Sequence, residues 1–250
     1  MKQLNTFFIG VFIFILFGCD RGSIRSDQVA ADQYGNNNIH RKYRVDFKEE
    51  TNQTMASATY SVGGAWGTTL QLISPSAVRV NGVAPVESTD EFDNEETAAF
   101  FLGFLFPPAW FLAGASGTTY HKNFYGNPGI VDFEFLDSSL TGFHDSIRVP
   151  KLSLRLPSYA NRDGFSLSVF GLDEGSRVYV RLEQGRQFKS LSTRGQSLRV
   201  TADDLINFYP GPIEVKVEVS NSLKIKKDAR SLGGRISMSY SFSPRIIEFR

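Results

Sequence analysis

The stretch Ile213-Glu214-Val215-Lys216-Val217-Glu218-Val219 alternates apolar and charged residues without a break. Successive side chains of an extended strand point to opposite faces, so this run has one aliphatic face and one ionic face. The same period of two recurs along the chain. Towards the N-terminus it appears in Tyr43-Arg44-Val45-Asp46-Phe47, Thr69-Leu70-Gln71-Leu72, Val78-Arg79-Val80 and Val131-Asp132-Phe133-Glu134-Phe135. Nearer the first stretch it returns in Leu152-Ser153-Leu154-Arg155-Leu156, Phe165-Ser166-Leu167-Ser168-Val169 and Val178-Tyr179-Val180-Arg181-Leu182. Leu223-Lys224-Ile225 and Ile236-Ser237-Met238-Ser239-Tyr240 follow it. Turn formers separate these runs: Ser74-Pro75-Ser76, the dipeptide Asn81-Gly82, and Asp137-Ser138-Ser139. Only one short helix is expected, capped at Thr201-Ala202-Asp203-Asp204, running through Leu205 and Ile206 and stopped before Pro210.

Short alternating strands separated by Gly, Pro, Asn and Ser turns read as an all-β chain built of antiparallel sandwiches. A boundary is expected near Arg148-Val149-Pro150, between two stretches of about a hundred residues each. The chain divides into a leader (1–18), an N-terminal tether (19–40), a first β-sandwich domain (41–149) and a second (150–250). This pattern resembles the tandem immunoglobulin-like domains of bacterial surface lipoproteins, and the resemblance implies two consecutive immunoglobulin-like sandwiches. It is architectural only, because the chain has 1 cysteine and so lacks the Cys…Trp…Cys signature. The strand count also fits a single larger sandwich or barrel.

The N-terminus opens Met1-Lys2-Gln3, followed by an apolar run over residues 7–17. A positive start and a short apolar core read as a secretory signal, too short for a stable spanning helix. The run ends in Leu16-Phe17-Gly18-Cys19, which resembles a lipobox. In lipoprotein signals a branched apolar residue stands three before the cysteine and a small one directly before it; Leu16 and Gly18 match, and Phe17 is bulkier than usual. The resemblance implies lipidation of Cys19 and a cell-envelope location, with outer membrane the leading expectation. Asp20 keeps the choice of membrane open, since an acidic residue there retains lipoproteins at the inner membrane of some enteric bacteria. Residues 20–40 are polar and Asn-rich, and read as a flexible tether with a reach of roughly 25 Å.

Residues 98–115 break the β rhythm with Ala-Ala-Phe-Phe-Leu-Gly-Phe-Leu-Phe-Pro-Pro-Ala-Trp-Phe-Leu-Ala-Gly-Ala, directly after an acidic stretch over 90–96. The run falls just short of the ~20 residues a spanning helix needs, and Pro107-Pro108 interrupts it. Two short helices or an irregular loop, hinged at the prolines and inserted in the first sandwich, are the expectation. The insert either covers one end of the sandwich as core or exposes a contact patch of Phe100, Phe101, Phe104, Phe106, Trp110, Phe111 and Leu112.

Composition and motifs narrow the chemistry. Net charge is +1, so no global field recruits nucleic acid. The three histidines, His40, His121 and His144, form no zinc-binding spacing, and no metal or other cofactor is expected. His144 precedes Asp145, but neighbours on an extended chain face opposite ways. Gly63-Gly64-Ala65-Trp66-Gly67 has no following helix to hold a phosphate. Lys224, Lys226 and Lys227 read as lysines that protect an edge strand, with Leu223 and Ile225 buried. The leading expectation is therefore a non-enzymatic binding or structural module, held at the membrane by its N-terminal lipid, with an envelope protein or a glycan as partner. The alternative is glycan binding through loop aromatics, with Trp66 and Tyr159 as the stacking candidates. A third reading is a glycoside hydrolase using carboxylates such as Glu134, Asp173 and Glu174.

Overall fold

The computed structural model describes residues 24–26, 39–65, 68–74, 76–88, 118–136, 142–227 and 232–250. Its first half contributes β1 (Ile24–Arg25), β2 (Ile39–Lys48), β3 (Gln53–Val62), β4 (Thr68–Gln71), β5 (Ala77–Val80), β6 (Val86–Ser88), β7 (Thr119–Tyr125), β8 (Ile130–Leu136) and β9 (Gly142–Arg148). The second half contributes β10 (Ser153–Arg155), β11 (Tyr159–Ala160), β12 (Gly164–Phe170), β13 (Arg177–Gln184), β14 (Gln187–Thr193), β15 (Ser197–Thr201), α1 (Ala202–Leu205), β16 (Gly211–Ile225), β17 (Gly233–Ser241) and β18 (Arg245–Phe249). The all-β expectation holds, and α1 sits where the cap was expected. There the Asp204 carboxylate accepts hydrogen bonds from the Thr201 amide at 2.9 Å and the Thr201 hydroxyl at 2.8 Å.

The described strands form one twelve-stranded sheet and two three-stranded sheets. The small sheet β5-β8-β9 comes wholly from the first half, and β10-β12-β15 wholly from the second. In the first half, β2 buries Tyr43, Val45 and Phe47, and its neighbour β3 buries Ala56, Ala58 and Tyr60 on the same face. The alanines leave room for large rings from the facing sheet. Tyr43 stacks on Phe133 of β8 with centroids 4.4 Å apart, and Tyr60 meets Phe135 at 4.8 Å. In the second half, β13 and β16 bury Val178, Val180, Leu182, Val215, Val217 and Val219, in one cluster with Leu167, Val169 and Val200 of the small sheet. The alternation of residues 213–219 is the inward row of this half.

The two halves share the large sheet. Strand β2 runs parallel to β17 over nine residue pairs, from His40↔Gly233 to Lys48↔Ser241. The Ser237 hydroxyl reaches the Tyr43 carbonyl at 3.2 Å, and the Tyr240 ring lies 4.8 Å from Phe47 across the junction. Parallel pairs also join β1 to β4 and β11 to β18, so the pairing is mixed rather than purely antiparallel. The segment between the halves is held as well: Val149 is buried and its amide donates to the Gly129 carbonyl at 2.8 Å.

Strand β16 is a 15-residue ruler for the second half. One edge pairs with β13, and the other pairs first with β18 and then with β17. Opposite Lys216 and Val217 stand Phe242, Ser243 and Pro244, an extra residue that forms a bulge. Pro244 has no amide to donate, and an unpaired bulge position tolerates that. One expectation is corrected here. Leu223 is 48% exposed, whereas Ile225 on the same face is buried as expected.

Candidate functional site

Tyr159 is the sequence candidate that the structure places beside a depression in the surface. After β10, the chain crosses through Leu156-Pro157-Ser158 and enters the two-residue strand β11. That strand is fixed to β18 by the Glu248 amide donating to the Ser158 carbonyl at 3.1 Å and the Arg250 amide donating to the Ala160 carbonyl at 3.0 Å. Alternation then buries Ala160 and turns Tyr159 outward, 55% exposed. The Arg250 guanidinium lies over the Tyr159 ring at 5.2 Å. Leu154, Leu156, Pro157, Ser158, Arg245 and Ile246 line an open groove of about 410 Å³ next to it. Ile246, at 71% exposure, is an apolar side chain presented to solvent at its wall.

Ile246 begins a row that crosses the outer face of the large sheet: Ile246 on β18, Glu214 on β16, Glu183 on β13 and Phe188 on β14 stand opposite one another in turn. Lys216 bridges the two carboxylates, at 2.7 Å from Glu183 and 3.5 Å from Glu214. The hydrogen bond from Lys216 holds the Glu183 carboxyl below its ordinary range, with the charges of Lys216 and Arg181 acting the same way. A general acid for glycoside hydrolysis needs a raised carboxyl, so Glu183 is better suited to a salt-bridged surface. The carboxylates weighed from sequence also lie near arginines: Glu134 is 3.7 Å from Arg79, and Asp173 is 3.4 Å from Arg148. Among the described residues no three histidine or acidic side chains gather as a metal-holding group.

Two further polar clusters were not legible in the sequence. Between the sheets of the first half, Arg41 occupies an inward position of β2 and is 3% exposed. Its guanidinium pairs with Asp145 of β9 at 2.8 Å and lies 4.2 Å over the Phe143 ring. Asp145 thus faces the core while His144 faces out, its Nε2 3.7 Å from Asp132. The Tyr43 and Tyr60 hydroxyls are buried beside this pair, and burial raises both phenols above their ordinary values, helped next by the Asp145 charge at Tyr43 and by the neighbouring Tyr43 phenol at Tyr60.

The second cluster is on the outer face. Asp46 of β2 accepts from Arg44 Nε at 2.7 Å and from the Ser239 hydroxyl at 2.6 Å. Glu218 of β16 shares that face, and its carboxyl is pushed up to about 7, by burial first and by the Asp46 charge second.

Cys19, Trp66 and the patch residues Phe100, Phe101, Phe104, Phe106, Trp110, Phe111 and Leu112 lie outside the described residues, as does the whole insert 98–115. The structure therefore places Tyr159 one residue beyond the groove's lining at Ser158, while Trp66 lies outside the described residues. No protein-family profile matches the chain, and no curated protein matches it.

Proposed function

We propose that this chain is a lipid-anchored protein of the bacterial cell envelope, held in the outer membrane through Cys19, and that it serves as a non-enzymatic binding or structural module. In this reading the body is a pair of immunoglobulin-like sandwiches fused through the β2–β17 ladder. The anchor is supported by Leu16-Phe17-Gly18-Cys19 at the end of the apolar leader. The observation that carries the binding role is the open groove at β10 and β18, with Ile246 exposed in its wall and the exposed Tyr159 following its lining residue Ser158 on hydrogen-bonded backbone. The insert 98–115, with Phe100 to Leu112, remains a proposed contact for an envelope protein or the bilayer.

The same groove favours a second reading, glycan binding. A tyrosine face backed by a guanidinium offers a flat apolar surface beside a charged donor, the combination that packs on a sugar ring and hydrogen-bonds its hydroxyls. Binding of envelope oligosaccharides to the wild-type chain, Tyr159→Phe and Tyr159→Ala, measured on a glycan array, tests it. Loss of at least tenfold in Tyr159→Ala with retention in Tyr159→Phe is expected. Equal signals from all three remove Tyr159 from any glycan site. For the anchor, the mass of the mature N-terminus from the native host decides. A free thiol at Cys19, or a retained leader, refutes that part of the proposal.

A further inference from the structure

The strand register assembles a row of cations that no single stretch of sequence contains. Lys224 of β16 stands opposite Arg235 of β17, and Arg235 stands opposite Lys42 of β2. All three point to the outer face, since the inward positions beside them, Ile236 and Tyr43, are buried. Directly opposed side chains on neighbouring strands are about 5 Å apart, so like charges there oppose the fold. Lys226 and Lys227 follow β16 at the same end of the sheet, and both are exposed. Among the described residues, none of these five cations is in an ion pair, whereas Arg44, two residues along β2, is neutralised by Asp46. Crowding by protein atoms, then the charges of Arg44 and Arg235, hold the Lys42 ammonium below its ordinary value.

Edge protection does not account for this row. Lysines blunt strands whose hydrogen-bonding groups are open, but Lys42 and Arg235 lie on strands paired on both sides. A row of cations kept together without counter-charge is explained by an anionic surface outside the protein. Its position says which surface. Lys42 is near the start of β2, β1 lies three strands away in the same sheet, and the four residues between Cys19 and Ile24 span at most roughly 18 Å. A lipidated Cys19 keeps the row within reach of headgroups and makes their effective concentration high.

We propose that Lys42, Arg235 and Lys224, extended by Lys226 and Lys227, form a docking surface for the anionic phosphate headgroups of the bilayer. The proposal rests on the lipid-anchor reading for its choice of surface and is tested without the lipid. The mature-length chain from position 19, carrying Cys19→Ser, is floated with vesicles of phosphatidylcholine and phosphatidylglycerol, and with vesicles of phosphatidylcholine alone. Binding only to the charged vesicles, weakening with salt, is expected. Each charge removed costs roughly fivefold, so Lys42→Gln/Lys224→Gln/Arg235→Gln loses about a hundredfold, while Lys42→Arg/Lys224→Arg retains binding. Lys226→Gln/Lys227→Gln, outside the ladder, gives a loss that does not depend on refolding the sheet, roughly 25-fold by the same scale. Equal flotation of the Gln variants, or equal flotation on neutral vesicles, overturns the proposal. So does capture by soluble polyphosphate without vesicle binding. Because no acyl chain is present in this assay, an inert row leaves the anchor reading standing, and an unmodified Cys19 in native material leaves the vesicle result standing.

Discussion

Glu218→Gln isolates one carboxyl whose cost to the fold depends on pH. The substitution keeps the shape of the side chain and removes its charge, on the face where Asp46 already carries one. Burial and Asp46 raise the Glu218 carboxyl from 4.5 to about 7, so the folded chain holds this proton more tightly than the unfolded chain does. Its favourable contribution is therefore complete below about pH 4.5, is lost as pH rises towards 7, and is absent above that. A displacement of this size has a ceiling of about 3 kcal/mol, and screening at a partly exposed side chain lowers the expectation to about 1–2 kcal/mol. For a chain of this length that is roughly 3–6 °C in Tm. Urea and thermal unfolding of the wild type and Glu218→Gln, followed by circular dichroism from about pH 5 to pH 8, measure the difference directly. The wild type should lose stability relative to the variant as pH rises, and the gap should level off near pH 8. Two curves that run parallel across the range refute the assignment, because every other titrating group is common to both proteins.

Two other substitutions probe the core and the junction between the halves. Asp145→Ala removes a carboxylate 2.8 Å from the buried Arg41 guanidinium, and a loss of about 3–5 kcal/mol in urea unfolding is expected. Arg41→Met/Asp145→Leu should recover most of that loss, and purely additive effects would show that the two side chains do not depend on one another. Gly234→Ala puts a Cβ within 1.8 Å of the Arg41 carbonyl oxygen, so β2 and β17 must separate locally at a cost of about 1–3 kcal/mol. Amide exchange should then accelerate first in those two strands, and an unchanged exchange pattern would count against the ladder between the halves.

What the sequence determined by itself is the set of faces. Period-two runs state which side chains of a strand go inward, and Tyr43, Val45, Phe47, Val131, Phe133, Phe135 and the odd positions of 213–219 are buried as those runs require. The turn at Asn81-Gly82 and the cap at Thr201 were equally local, since positive φ angles and a side chain three residues away need no tertiary partner. Strands without a strong apolar row escaped notice. β3 buries Thr54, Ala56 and Ala58, too small to mark a hydrophobic period, and β14 is a polar strand at the rim of the large sheet.

Only the tertiary structure decided which strands are neighbours. Alternation assigns a face and is silent about the partner across the hydrogen bonds. Nothing local pairs β2 with β17, almost two hundred residues later, or sets Lys42 beside Arg235 and Lys224. The buried Arg41–Asp145 pair was hidden for the same reason: a charge at an inward position looks like a break in the pattern until the opposing charge on another sheet is in place. Side-chain direction follows from the backbone of one strand. Charge neighbourhoods, grooves and junctions follow from register between strands, which is settled by packing among residues that are remote in the chain.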